Sequence, residues 1–244
     1  MGVWGYGSGP TAAGISPIPI RKLTAVLSAR YTSRVMPRKH IAYYKVLEAL
    51  DSPGCPICSL VNQSVRRRMD SMLYEQVNDP GTRRKLIESR GFCRQHSSLL
   101  LELGHPLGVA IIYRDIVDSV SAELASGRSR RNLAKCPACT WAEHDEQQYL
   151  STLADHFADP DLSPRILGSR DLCLPHLKKL LEMLPPSQQP EFRQAALSHL
   201  AELKAELSEI VRKSDYRCEE PFGPEGDAWI RAVAKLSGCV QGRF

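Results

Sequence analysis

The chain has 244 residues, 43% of them hydrophobic, 24% charged and 7% aromatic, the make-up of one ordinary globular protein or of two small domains. No apolar run approaches the ~18–20 residues that cross a bilayer, so no membrane span is predicted. The formal net charge of +5 is unevenly spread: residues 36–135 carry 16 basic against 10 acidic side chains (+6) and residues 136–244 carry 12 against 17 (−5). That balance argues against a dedicated nucleic-acid binder and lets the two halves attract each other.

Residues 1–35 differ from the rest. They hold Arg21, Lys22, Arg30 and Arg34 without an acid. Their one apolar patch, Leu23 to Ala29, is too short and too weak for a secretory signal. The Gly5-x-Gly7-x-Gly9 run follows no strand and opens no helix, so it is not a dinucleotide fingerprint. This segment reads as a disordered extension or a mis-assigned start, with translation beginning at Met36. Residues 36–244 read as a single helical domain. Val61, Val65, Met69, Met72, Leu73 and Val77 keep the three-and-four spacing of an amphipathic helix, which Asn78-Asp79-Pro80-Gly81 breaks. A helix over Leu107–Leu124 is apolar over a wide arc and is expected to be central. Trp141 to Phe157 repeats the first pattern, Phe192 to Ile210 marks a long helix, and Trp229 to Leu236 a last short one. No stretch alternates with period two, so the expectation is an all-α helical bundle.

The informative feature is a repeat. Cys55-Pro56-Ile57-Cys58 precedes Cys93-Arg94-Gln95-His96, and Cys136-Pro137-Ala138-Cys139 precedes Cys173-Leu174-Pro175-His176, at offsets of 81 and 80 residues. Asp79-Pro80 and Asp159-Pro160, Ser89-Arg90 and Ser169-Arg170, and Leu100-Leu101-Glu102 and Leu180-Leu181-Glu182 keep the same step. The repeats lie near residues 52–104 and 133–185 and are expected to be two helical hairpins. A helix over residues 59–77 rises about 28 Å. A return of about 25 Å between Gly81 and Phe92 would bring Cys93 and His96 back to the foot of the same hairpin. Each hairpin is therefore expected to close on its own Cys3His metal site, with a metal shared by both C-P-x-C pairs as the lesser alternative.

Three thiolates and an imidazole form a donor set of the kind that Zn²⁺ occupies tetrahedrally. Pro56 and Pro137 directly follow the first cysteine of each pair, where a helix tolerates proline best. The cysteines then sit at helix N-termini, where the dipole favours the thiolate. Four protein ligands leave no open position, so the expectation is two structural zinc ions per chain, held by Cys55, Cys58, Cys93 and His96 and by Cys136, Cys139, Cys173 and His176. An iron–sulfur cluster or a dithiol centre on the same residues is the alternative. Arg90, Arg94 and Arg170 are close enough in sequence to offset the negative charge of such sites, and His144 and His156 are candidates to support them from behind. Cys218 and Cys239 are expected to be reduced thiols, and the runs Arg66–Arg68, Arg83–Lys85 and Arg128–Arg131 solvated helix faces. No Ser-His-Asp set, phosphate loop or carboxylate pair is recognisable, so no catalytic residue is assigned.

The twin C-P-x-C…C-x-x-H pattern, the Asp79-Pro80 turn, Gly91-Phe92-Cys93-Arg94-Gln95-His96 and the tail Lys213–Arg217, Glu220–Glu225 and Trp229–Val233 together resemble the bacterial family known as domain of unknown function 6062, over Met36 to about Gly238. The resemblance implies a bacterial, cytoplasmic setting and no activity. Asp171 stands where the first copy has Gly91. The expected function is a cytoplasmic zinc-binding interaction or regulatory module, with a redox or electron-transfer protein as the alternative. A protein partner is expected to dock on Asp215 to Trp229, where Pro221, Gly223 and Pro224 forbid a helix and bring aromatic rings and carboxylates to the surface.

Overall fold

The computed structural model describes residues 38–127 and 132–238, together with Gly2. The expectations for residues 1–35, for Arg128–Arg131 and for Cys239 lie outside the described residues. The chain divides into two units, residues 1–36 and 37–244, and the fold is that of the second. Among the described residues there are ten α-helices, one 3-10 turn and no strand. In chain order they are α1 (Ile41–Leu50), α2 (Pro56–Glu75), α3 (Pro80–Glu88), α4 (Arg94–Leu103), α5 (Pro106–Ala125), α6 (Pro137–Asp155), α7 (Ser163–Gly168), α8 (Leu174–Met183), α9 (Gln189–Lys213), the 3-10 turn (Pro224–Asp227) and α10 (Ala228–Ser237).

The repeat is visible in the structure: α2, α3 and α4 correspond to α6, α7 and α8. The long helices α2 and α6 share the largest contact in the fold. They run antiparallel, because Ile57 and Leu60 of the start of α2 share a core with Tyr149, Leu150 and Leu153 of the end of α6. Val65, Met69 and Met72 of the rest of α2 share a second core with Ala138 at the start of α6. At their crossing Ser64 Oγ donates to Asp145 Oδ2 at 2.6 Å, and Arg68 Nη2 reaches Oδ1 at 2.7 Å. Ser64 and Asp145 are one repeat step apart, 81 residues, so the two copies meet about a pseudo-twofold axis through this pair.

The hairpins do not close on themselves. The twenty residues of α2 climb about 30 Å, while the nine of α3 recover only about 13 Å. The residues expected to extend the return instead turn it: Arg90 and Gly91 both have positive φ, 53° and 83°. A Cβ on Gly91 would come within 2.9 Å of the Tyr113 hydroxyl, so the turn is packed as well as left-handed. Leaning on α5, α3 delivers α4 to the far half of α2, where Leu99 and Leu100 join Val65 and Met69.

A further correction concerns α5, which is not central. It buries only Gly108, Ile112 and Ile116, and Leu107, Val117 and Leu124 face outward, the last 77% exposed. Its N-terminal Gly108 lies against the backbone of Leu73, where a Cβ would approach the carbonyl oxygen to 2.7 Å.

The two Asp-Pro turns diverge in use. Asp79 caps α3 by accepting from Thr82 N–H at 2.6 Å. Asp159 is buried and gathers Tyr43 Oη at 2.9 Å, Lys39 Nζ at 3.0 Å and Asp161 N–H at 3.0 Å, pinning α1 onto the second repeat.

Candidate metal centres

Four cysteines, Cys55, Cys93, Cys136 and Cys173, are the N-cap residues of α2, α4, α6 and α8. None of their side chains caps its own helix. Cys58, His96, Cys139 and His176 follow one turn later on the same helix faces. Two helix N-termini therefore converge at each cluster and favour the negative charge that thiolates bring.

Eight side chains form two groups, and each group crosses the repeats. Cys55 and Cys58 of α2 meet Cys173 and His176 of α8, while Cys136 and Cys139 of α6 meet Cys93 and His96 of α4. All eight predicted residues are thus brought together, but the predicted partition, Cys55–Cys58 with Cys93–His96 and Cys136–Cys139 with Cys173–His176, is wrong. The antiparallel crossing of α2 and α6 places the start of each beside the return helix of the other repeat. The two C-P-x-C pairs do not share a cluster either.

In the first group, hereafter the α2/α8 site, His176 Nδ1 lies 3.0 Å from Cys173 Sγ, 3.3 Å from Cys55 Sγ and 3.5 Å from Cys58 Sγ, and the Cys58 and Cys173 sulfurs are 3.9 Å apart. In the second, the α4/α6 site, His96 Nδ1 lies 3.2, 3.4 and 3.7 Å from Cys93, Cys139 and Cys136 Sγ, with Cys93 and Cys139 Sγ 3.6 Å apart. A tetrahedron drawn about one ion with metal–sulfur bonds of ~2.3 Å and a metal–nitrogen bond of ~2.0 Å has edges of about 3.5–3.8 Å. Both groups could hold one metal ion, and the donor atoms within each all lie within 4.8 Å of one another.

The electrostatics of the groups are those of crowded thiols around an imidazole. Cys55 is held far below the usual thiol range by hydrogen bonds with Cys173 and Cys58 and then by His176. Burial opposes a charge on His176, yet its hydrogen bonds to Cys173 and Cys55 and their negative charge push the imidazole up to about 10. Cys139 is pushed up to about 12 by burial and by crowding from Cys93 and Cys136. Thiols this close cannot all ionise unless a positive charge lies among them.

Behind the α2/α8 site, His176 Nε2 donates to Glu146 Oε1 at 2.7 Å, and Lys179 Nζ holds both oxygens of that carboxylate at 2.7 Å. Glu146 was missed in the sequence. Its signal is that it lies seven residues after Cys139, on the same face of α6, where a solvated residue is not expected. His144 and His156 do not take this role. His144 is exposed beside Asp145, and His156 is buried edge-on against the Tyr43 ring. Of the named arginines, Arg90 pairs with Glu123, while Arg170 pairs with Glu202 and lines a cavity with Cys55. The cation turned toward this site is Lys235 of α10, buried to 5% exposure and donating to the Arg170 carbonyl at 2.7 Å. Burial lowers its pKa, and the charges of Asp171, Cys55 and Cys173 resist that shift. Asp171 closes the loop before Cys55 by accepting from Gly54 N–H at 3.2 Å.

A family model described as "Family of unknown function (DUF6062)" matches residues 38–134 and 121–243. The chain belongs to this family. Each matched DUF6062 segment carries one copy of the C-P-x-C…C-x-x-H motif. A DUF6062 chain with this sequence is also 26% identical over 202 residues to an "Uncharacterized 23.9 kDa protein in xynA 3'region" from Caldicellulosiruptor sp. (strain Rt8B.4), covering 79% of this chain and 99% of that protein. No solved structure matches. No described helix is long and apolar enough to cross a membrane.

Proposed function

We propose that the chain is a zinc protein in which two structural Cys3His sites stitch two helical repeats into one interaction module. The observation that carries this reading is the crossing: each cluster joins the N-terminus of one repeat's long helix to the return helix of the other, with four protein donors and no position left for a substrate. An ion there would neutralise three thiolates and fasten the fold. The donor spacing of both groups suits a single ion; a polynuclear iron–sulfur cluster, with its irons lying between the thiolates, would spread them further. A reducing compartment, the cytoplasm, suits cysteines held as free thiols, and among the described residues none is paired in a disulfide.

The partner surface of this reading is the segment Asp215–Trp229. Tyr216 is 91% exposed, and Phe222 and Trp229 also face outward. Its carboxylates are less free than its rings: Glu220 is held by Arg212, Asp215 by Arg217, and Glu225 is buried on Lys213 at 2.7 Å. Recognition through this segment therefore falls to the aromatic rings and to the exposed Glu219, with a protein as partner.

Elemental analysis of protein purified without oxygen tests the reading. Two zinc ions per chain, and a cooperative melt that collapses when a chelator is added, are expected. Iron with absorption near 400 nm, or full helicity without metal, would overturn it.

A further inference from the structure

The repeat makes the two sites comparable residue by residue, and their surroundings are not the same. One repeat step from Glu146 lies Val65, and one step from Lys179 lies Leu99. The α2/α8 site thus has a carboxylate on the outer nitrogen of its histidine and an ammonium on that carboxylate. At the corresponding places the α4/α6 site has two buried aliphatic side chains. The hydrogen bonds of His96 to Cys93, Cys139 and Cys136 all run through Nδ1, and among the described residues no carboxylate stands on its Nε2 where Glu146 stands on that of His176. Both histidines, with Cys58, Cys139, Val65 and Glu146, line one cavity of about 270 Å³, so the two environments face the same space.

The cover differs too. Helix α10 follows the second repeat and packs beside the α2/α8 site, leaving Cys55 on one cavity and Cys58 and His176 on another. Lys235 is buried there, and a Cβ on Gly238 would lie 3.7 Å from Cys173 Sγ and 3.9 Å from Cys58 Sγ. Three of that site's four ligands are buried, against two at the α4/α6 site, where Cys93 and Cys139 are partly exposed.

We propose that the α2/α8 site holds its ion permanently while the α4/α6 site exchanges its ion, and that Glu146 is the positioning residue that separates them. This rests on the reading of both groups as zinc sites. A carboxylate on the distal imidazole nitrogen fixes the tautomer that presents Nδ1 and makes that nitrogen a better donor. Removing such a partner costs about 10–100-fold in metal affinity. The buried ammonium of Lys235 adds attraction for a site that carries net negative charge once three thiolates surround a divalent ion. With neither device, the α4/α6 site gives up its zinc first, and the first core remains tied by the other.

The test uses the full zinc-loaded chain and a coloured zinc chelator in excess. Release is expected in two phases, one ion each, with rates at least ~10-fold apart. Pulses of a thiol-alkylating reagent followed by peptide mass mapping should label Cys93, Cys136 and Cys139 in the fast phase and Cys55, Cys58 and Cys173 only in the slow one. E146V should bring the slow phase close to the fast one, and Glu146→Gln, which can still accept from Nε2, should fall between. Two bound ions leaving in a single phase, or label appearing first at Cys55, Cys58 and Cys173, would overturn the inference while leaving the zinc reading standing. A chain that binds no zinc would overturn both.

Discussion

At the scale of single residues, the structure separates side chains that the repeat makes look equivalent. Asp79 is an exposed cap, so Asp79→Ala should cost about 1 kcal/mol. Asp159 is buried and holds a tyrosine hydroxyl, a lysine and a backbone amide. Asp159→Ala removes the acceptor of the Tyr43 hydroxyl and a partner of Lys39, and its cost should exceed that of Asp79→Ala by about 1–3 kcal/mol. Chemical denaturation of the two variants decides the order; equal costs would mean that Asp159 does no more than its counterpart. The cysteines proposed to hold zinc are a harsher case. Cys93→Ser and Cys173→Ser each leave three ligands on an open site, and because the sites cross the repeats, each should loosen helices of both copies. Amide exchange should rise in α6 as well as α4 for Cys93→Ser; exchange confined to the first repeat would contradict the crossing.

At the scale of elements, Glu225 ties the 3-10 turn to the end of α9. Its carboxyl is held down to about 2 by Gly223 N–H and then by Lys213. The lowered value means that the tie is fully made above the ordinary carboxyl value of 4.5 and is lost as pH falls from there toward 2. The melting difference between wild type and Glu225→Gln should therefore be widest near neutral pH and close on acidification. A constant gap would show that the charge is not what holds the turn.

Much of this level was legible in the sequence. Proline at the first position of α2 and α6, the Asp-Pro turns and the three-and-four spacing placed the long helices. The role of α5 was not legible, because a wide apolar arc looks alike whether a helix is surrounded or merely covers a core edge. The within-hairpin closure failed for a related reason. Chain length allowed Cys93 to reach Cys55, but the turn at Arg90 and Gly91 and the packing of α3 on α5 sent α4 elsewhere, and both are tertiary facts.

At the scale of the molecule, the repeat does more than duplicate a hairpin. Two copies cross at Ser64 and Asp145, and each supplies two of the four side chains of both Cys/His groups, so neither group is complete without both repeats. The eight cysteines and histidines that cluster were readable from spacing alone; which four belong together depends on the crossing of α2 and α6. A diffraction map recorded at the zinc absorption edge tests that crossing most directly. It should show two peaks per chain, one among Cys55, Cys58, Cys173 and His176 and one among Cys93, His96, Cys136 and Cys139. A peak enclosed by Cys55, Cys58, Cys93 and His96 would contradict it.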